Sequence, residues 1–162
     1  MSLAADTVEA LRRAGATVAS AESLTGGLVC ATLVSVPGAS DVVRGGVVAY
    51  APDVKTSLLG VDASLVAERG TVDAGVAAAM AVGARDRLAA TYGLATTGVA
   101  GPDPSEGKPA GTVHIAVAGP DAVVTSLLDL SGDRDEIRTG TVAALLSLLV
   151  ATLGEESRTA RG

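Results

Sequence analysis

The chain of 162 residues is 48% hydrophobic but only 1% aromatic, contains 20 glycines and carries a formal charge of −6. That length accommodates one domain with a substantial core and is short for two. The acidic balance and the lack of a basic stripe argue against a nucleic-acid partner, a lone cysteine cannot close an internal disulfide, and one cysteine with one histidine cannot build a typical structural zinc site.

Residues 3–14 mix Asp6, Glu9, Arg12 and Arg13 with apolar side chains, which reads as an amphipathic helix and not as a signal peptide. No apolar run reaches membrane-spanning length, so the expectation is a cytoplasmic protein with no membrane partner. A buried strand over about 16–20 precedes an apolar helix over about 26–36, with Cys30 as a core residue. Pro37 to Ser40 breaks the chain before a strand at about 44–50. A short helix from Pro52 to Leu59 is stopped by Gly60, and a second is capped by Asp62 and stopped by Gly70. A longer helix starts near Asp73, with Val76, Met80, Ala84 and Leu88 at helical spacing and Arg85 to Arg87 as its solvated shoulder. A strand over about 92–99, a glycine and proline loop from Gly101 to Gly111, and a hairpin of strands at about 112–118 and 122–130 follow. The last helix, about 133–153, offers Ile137, Thr141, Leu145, Leu148 and Thr152 as its inner stripe, and residues 155–162 form a polar, frayed tail. Helices that alternate with strands early, and a hairpin late, predict an α/β fold: a single-domain three-layer α/β/α sandwich with a mixed sheet over residues 1–154.

Four segments can carry chemistry. Ala21 to Gly27 places the hydroxyls of Ser23 and Thr25 and the paired Gly26 and Gly27 at a strand-to-helix junction. Such a turn either aims a serine and backbone N–H groups at a ligand or merely caps the helix through Ser23 or Thr25. Only two lysines occur, Lys55 and Lys108. Lys55, five residues after Tyr50, is either a solvated first-turn lysine or a base, since a desolvated lysine can lose its proton where an arginine cannot. Thr96 to Pro102 leaves a buried strand at the end where α/β sheets commonly bind ligands, so a substrate-facing threonine and a backbone N–H are candidates there. Gly101 to Lys108 departs from the Walker pattern in its glycine spacing and in Pro109 after the lysine, and reads as a surface turn. Arg134, at the start of the last helix, can clamp a phosphate or carboxylate or pair with Asp135 or Glu136. His114 falls in an alternating strand and reads as a sheet-face residue, not as part of a triad.

Taken together, Ala21 to Gly27, Tyr50 with Lys55, Thr97 to Pro102, Lys108 to Val113 and Gly132 to Arg134 resemble the CinA C-terminal domain family over nearly the whole chain. The family includes nicotinamide mononucleotide deamidases, which hydrolyse the carboxamide to nicotinate mononucleotide and ammonia. The resemblance implies Ser23 as nucleophile and Lys55 as its general base. It implies Tyr50, Thr97 and Arg134, together with Thr25, Gly26, Gly27 and Gly98, as substrate-binding residues. Backbone N–H groups between Ser23 and Gly27, or at Gly98, would face the oxyanion, and helix capping would fall to Thr25. It further implies a small nucleotide substrate, no metal or other cofactor, and a homo-oligomer. Leu24, Ala51, Pro52 and the segment Asp103 to Glu106 depart from the family pattern. A nucleotide-binding or regulatory module of the same fold, without turnover, is the alternative.

Overall fold

The computed structural model describes residues 1–162. Five strands form one sheet: β1 (Val18–Glu22), β2 (Val43–Val48), β3 (Tyr92–Gly98), β4 (Thr112–Ala118) and β5 (Val123–Asp129), in the spatial order β2-β1-β3-β4-β5. β1 pairs in parallel with both β2 and β3, whereas β4 and β5 are added antiparallel as a hairpin. The three-layer sandwich with a mixed sheet is therefore the observed architecture.

Period-2 alternation sorts each strand between two different cores. Val18, Leu94, Val113, Ile115 and Val117 face one side, under α1 (Leu3–Ala14), α2 (Leu28–Val34) and α6 (Arg134–Thr159). Ala19, Ala21, Ala95, Ala116 and Ala118 face the other, under α3 (Pro52–Leu59), α4 (Ala63–Arg69) and α5 (Ala74–Arg87). The alanine face is matched by an alanine- and glycine-rich α5, which lets helix and sheet approach closely: a Cβ on Gly93 would stand 1.9 Å from the Ala81 carbonyl oxygen; α3 packs on α5 as tightly, since a Cβ on Gly83 would stand 2.1 Å from the Leu59 carbonyl oxygen. The chain leaves β1 for β2 through α2 on the first face and returns past β1 to β3 through α5 on the second. Crossovers in opposite directions must use opposite faces if both keep the preferred hand.

The stop and cap signals of α3, α4 and α5 are where the sequence places them: Gly60 is left-handed with φ 70°, and the Asp62 and Asp73 side chains accept from Ser64 N and Val76 N. Other bounds move: α2 is two residues shorter at each end than 26–36, and β1 starts two residues later than expected. β1 runs two residues further than the alternation predicts, because Ser20 and Glu22 are buried polar residues on the inner face and carry no hydrophobic signal. α6 does not fray at Gly154 but continues to Thr159, with the Glu156 carboxylate accepting from the Tyr92 hydroxyl. The inner stripe of α6 drifts as well: Leu146, Leu149 and Leu153 are buried, and Leu148 and Thr152 only half-buried. An 18-residue window of α6 reaches mean hydropathy 1.6, yet its apolar side lies in the core.

Candidate active site

The carboxyl ends of the three parallel strands converge on a cavity of about 600 Å³. Ser23 follows β1, Tyr50 and Pro52 follow β2, and Gly98 to Pro102 follow β3, so each parallel strand contributes one wall. Thr71, Val72, Asp103, Ser105 and Glu106 also line it, as does Arg134 on α6.

Ser23 is held by the sheet itself. Its N–H continues the β1–β3 ladder by donating to Thr96 O at 3.0 Å, and the chain then reverses, with Gly26 N donating to Ser23 O at 3.1 Å. Gly26 and Gly27 are both left-handed, at φ 56° and 103°. Their conformational freedom serves that reversal and not a close approach to a ligand: neither lines the cavity. Neither Ser23 nor Thr25 caps α2 by its side chain. Thr25 is fully buried, with its hydroxyl 2.8 Å from that of Thr96, behind the serine. The cap is Glu22, whose carboxylate accepts from Val29 N at 2.7 Å, Cys30 N at 3.0 Å and the Ser20 hydroxyl at 3.2 Å. A buried carboxylate at a helix N-terminus meets both the orphan N–H groups and the positive end of the dipole. Arg138 of α6 secures the other side of the turn, donating to Leu24 O at 3.0 Å and Thr25 O at 3.2 Å.

Lys55 lies on the first turn of α3, where Pro52 starts the helix without needing an N–H donor. It is not solvated: the residue is 1% exposed and Ser23 8%. Its Nζ lies 3.0 Å from Ser23 Oγ, 2.7 Å from Ala49 O and 3.2 Å from Tyr50 O, with no carboxylate partner within ion-pair distance. Burial without a counter-ion disfavours the ammonium and pulls the Lys55 pKa down to about 8, and the charge of Glu106 partly offsets the shift. A neutral amine has two N–H groups and one lone pair. As an ammonium, Nζ donates to Ser23 Oγ and to the carbonyls of Ala49 and Tyr50; once neutral, with the two carbonyls keeping its N–H groups, its lone pair would face the serine hydroxyl.

The remaining predicted residues divide. Gly98 lines the cavity, whereas Thr97 does not: it is 1% exposed and its hydroxyl donates to Thr71 O at 2.7 Å, bracing the turn before α5. Tyr50 and Arg134 meet at the mouth, where Arg134 Nη2 donates to the Tyr50 hydroxyl at 3.4 Å and Nη1 to Gly101 O at 2.6 Å. Arg134 pairs with neither Asp135 nor Glu136; Glu136 instead completes a capping box with Asp133. Among oxyanion donors, Leu24 N–H has no backbone acceptor, and Leu24 lines the cavity beside Ser23. His114 sits half-buried opposite Thr97 in the ladder, with burial lowering its pKa, and does not line the cavity. Cys30 is only half-buried, not a full core residue. No cluster of metal-ligating side chains is present.

Glu22, Arg138 and Glu106 escaped the sequence reading. Glu22 is an acid directly ahead of a glycine turn and an apolar helix, a dipole signal that was available. Glu106 holds the loop 103–108 to the turn before α5, its carboxylate accepting from Thr71 N at 2.9 Å, Thr71 Oγ1 at 2.7 Å and Val72 N at 2.9 Å, while Lys108 Nζ donates to Val72 O. That loop is thus a wall of the cavity and not a free surface turn. Nothing local to Glu106 or Arg138 indicates these long-range contacts.

The fold and site define an α/β protein with a buried serine–lysine pair at the carboxyl ends of its parallel strands. The chain belongs to the CinA C-terminal domain family, whose model matches residues 1–153. It is 59% identical over 134 residues to a CinA-like protein of Frankia casuarinae, covering 83% of this chain and 31% of that one. It is 50% identical over 135 residues to a putative competence-damage inducible protein of Desulforamulus reducens, covering 83% and 33%. The chain thus spans about a third of the length of these curated relatives. Among solved structures, a CinA superfamily protein of Klebsiella pneumoniae superposes with TM-score 0.92 at 28% identity, covering 94% of this chain and 96% of that one. A competence/damage inducible protein of Agrobacterium tumefaciens does so with TM-score 0.89 at 37% identity, covering 94% and 93%.

Proposed function

We propose that this chain is a metal-independent amidohydrolase that converts nicotinamide mononucleotide to nicotinate mononucleotide and ammonia through an acyl-enzyme on Ser23. The observation that carries the reading is the buried lysine 3.0 Å from a serine hydroxyl, free of any carboxylate partner and with its pKa brought down to about 8. Neutral Lys55 takes the Ser23 proton as Oγ attacks the carboxamide carbon. The tetrahedral oxyanion is met by backbone N–H groups, of which Leu24 N–H and the Gly98 region are the candidates, each donor contributing about 3 kcal/mol. Collapse breaks the C–N bond, and the Lys55 ammonium returns its proton to the departing ammonia. Water, deprotonated by the same lysine, then hydrolyses the acyl ester and frees Ser23. In this reading Arg134 and Tyr50, which meet at the mouth, hold the phosphate end.

The test is ammonia release from nicotinamide mononucleotide by the purified chain, beside Ser23→Ala and Lys55→Ala. Turnover that disappears in both variants supports the reading, and full activity in both rejects the mechanism. Calorimetric binding without ammonia release would instead assign the chain to the nucleotide-binding modules.

A further inference from the structure

The cavity is lined by charges of both signs. Arg134, from α6, is its one cationic lining residue, whereas Asp103 and Glu106, on the loop after β3, are acidic. Glu106 is the better fixed of the two acids. Both of its carboxylate oxygens are held by the turn Thr71–Val72, through two N–H groups and one hydroxyl, so the charge cannot swing away. Partial burial works against ionisation, but those hydrogen bonds outweigh it and hold the carboxyl below its ordinary range, so the group is anionic at every working pH. The Lys108 cation, whose Nζ donates to Val72 O on the same turn, also favours this carboxylate and offsets part of its charge, while Glu106 in turn raises the Lys55 pKa against the larger effect of burial.

We propose that Glu106 sets a charge preference at this site: it selects a substrate whose ring is cationic beside the scissile amide over the same molecule with an uncharged ring. The inference rests on the deamidase reading and deepens it. The oxidised mononucleotide is a zwitterion, with a pyridinium ring at one end and a phosphate at the other. A cavity that Ser23 and a fixed carboxylate both line, with a guanidinium at the mouth, is complementary to that charge pattern. The reduced dihydropyridine form keeps the phosphate and loses the ring charge, so only the Glu106 end distinguishes the two. At an exposed site, one charge pair at close range corresponds to about fivefold in affinity.

The experiment uses calorimetry on Ser23→Ala, which keeps every charge and prevents turnover, with the oxidised and reduced mononucleotides as paired ligands. Ser23→Ala should bind the oxidised form about fivefold more tightly, and the double variant Ser23→Ala with Glu106→Gln should bring the ratio close to one with the reduced form bound as before. Asp103→Asn, on the same loop and without those hydrogen bonds, should leave most of the preference in place. A ratio unchanged by Glu106→Gln overturns the inference, as does equal weakening of both ligands, which is loop loosening and not charge recognition. An Asp103→Asn variant that abolishes the preference equally also overturns it. Ammonia release by the unmodified chain decides the deamidase reading separately: turnover with an unaltered ratio removes only the role of Glu106, and a chain that neither turns over nor binds either form removes both.

Discussion

At the inner end of the cavity Ser23 and Lys55 are almost sealed from solvent and every Nζ direction of the lysine is committed, whereas at the mouth Tyr50 is 62% exposed and meets Arg134 through one long 3.4 Å bond. The inner end is built by strand ends and backbone carbonyls, which cannot relax when a side chain changes. The mouth is built by long side chains that can. Substitutions inside should therefore affect the chemical step and pH dependence, and those at the mouth should affect binding.

The largest effect falls on Lys55→Met, which keeps the volume and removes the base. Turnover should fall by about 10³-fold or more, the upper range for general acid–base catalysis. Retention of more than a tenth of the wild-type rate, followed by ammonia release, would mean that Ser23 does not depend on Lys55.

The pH dependence follows from the same burial. The reaction needs neutral Lys55, so kcat/KM should rise about tenfold per pH unit at low pH and level off above about pH 8. Stability moves in the same direction. The folded pKa of about 8 lies below the ordinary lysine value of 10.5, so the unfolded chain binds more protons between these values and stability rises with pH across that window. Below about pH 8 both states are protonated and the full cost of burying the ammonium is present. Measured against Lys55→Met in denaturant, wild type should gain about 2 kcal/mol between pH 7 and pH 9.5. A flat difference would show a solvated lysine.

This division also explains which features the amino-acid pattern revealed. The order of elements, the stops at Gly60 and Gly70 and the caps at Asp62 and Asp73 are local signals, and they are found where predicted. Ser23 and Lys55 were marked by residue type and by family resemblance; their 3.0 Å approach joins positions 32 residues apart and belongs to the fold. Thr25 and Thr97 border glycines, which marks them as site residues, yet Thr25, in the turn after β1, sets its hydroxyl against that of Thr96 and Thr97, one residue before the end of β3, donates to Thr71 O, and residue type does not disclose that choice of face. Glu22 was missed because its partners are backbone N–H groups at positions 29 and 30, and a buried acid has no hydrophobic period to betray it.

At the mouth the effects should be smaller and of another kind. Arg134→Ala removes the one cationic side chain lining the cavity, so KM should rise about tenfold while kcat stays within about threefold. Equal losses in kcat and kcat/KM would place Arg134 in the transition state and erase the distinction between the two ends.

The smallest change is expected from Tyr50→Phe, where the two ends meet in one residue. The backbone carbonyl of Tyr50 accepts from Lys55 Nζ at 3.2 Å and belongs to the inner end, while its hydroxyl, on an exposed ring, belongs to the mouth. Phenylalanine keeps the carbonyl and the ring and deletes only the long contact to Arg134, so KM should rise by no more than about threefold and the inflection near pH 8 should not move. Proline at the same position would not separate the two roles, since it would also disturb the backbone that presents the carbonyl. If Tyr50→Phe instead shifts the pH inflection or lowers kcat tenfold, the hydroxyl reaches the reacting atoms when substrate is bound, and the mouth closes onto the dyad during turnover.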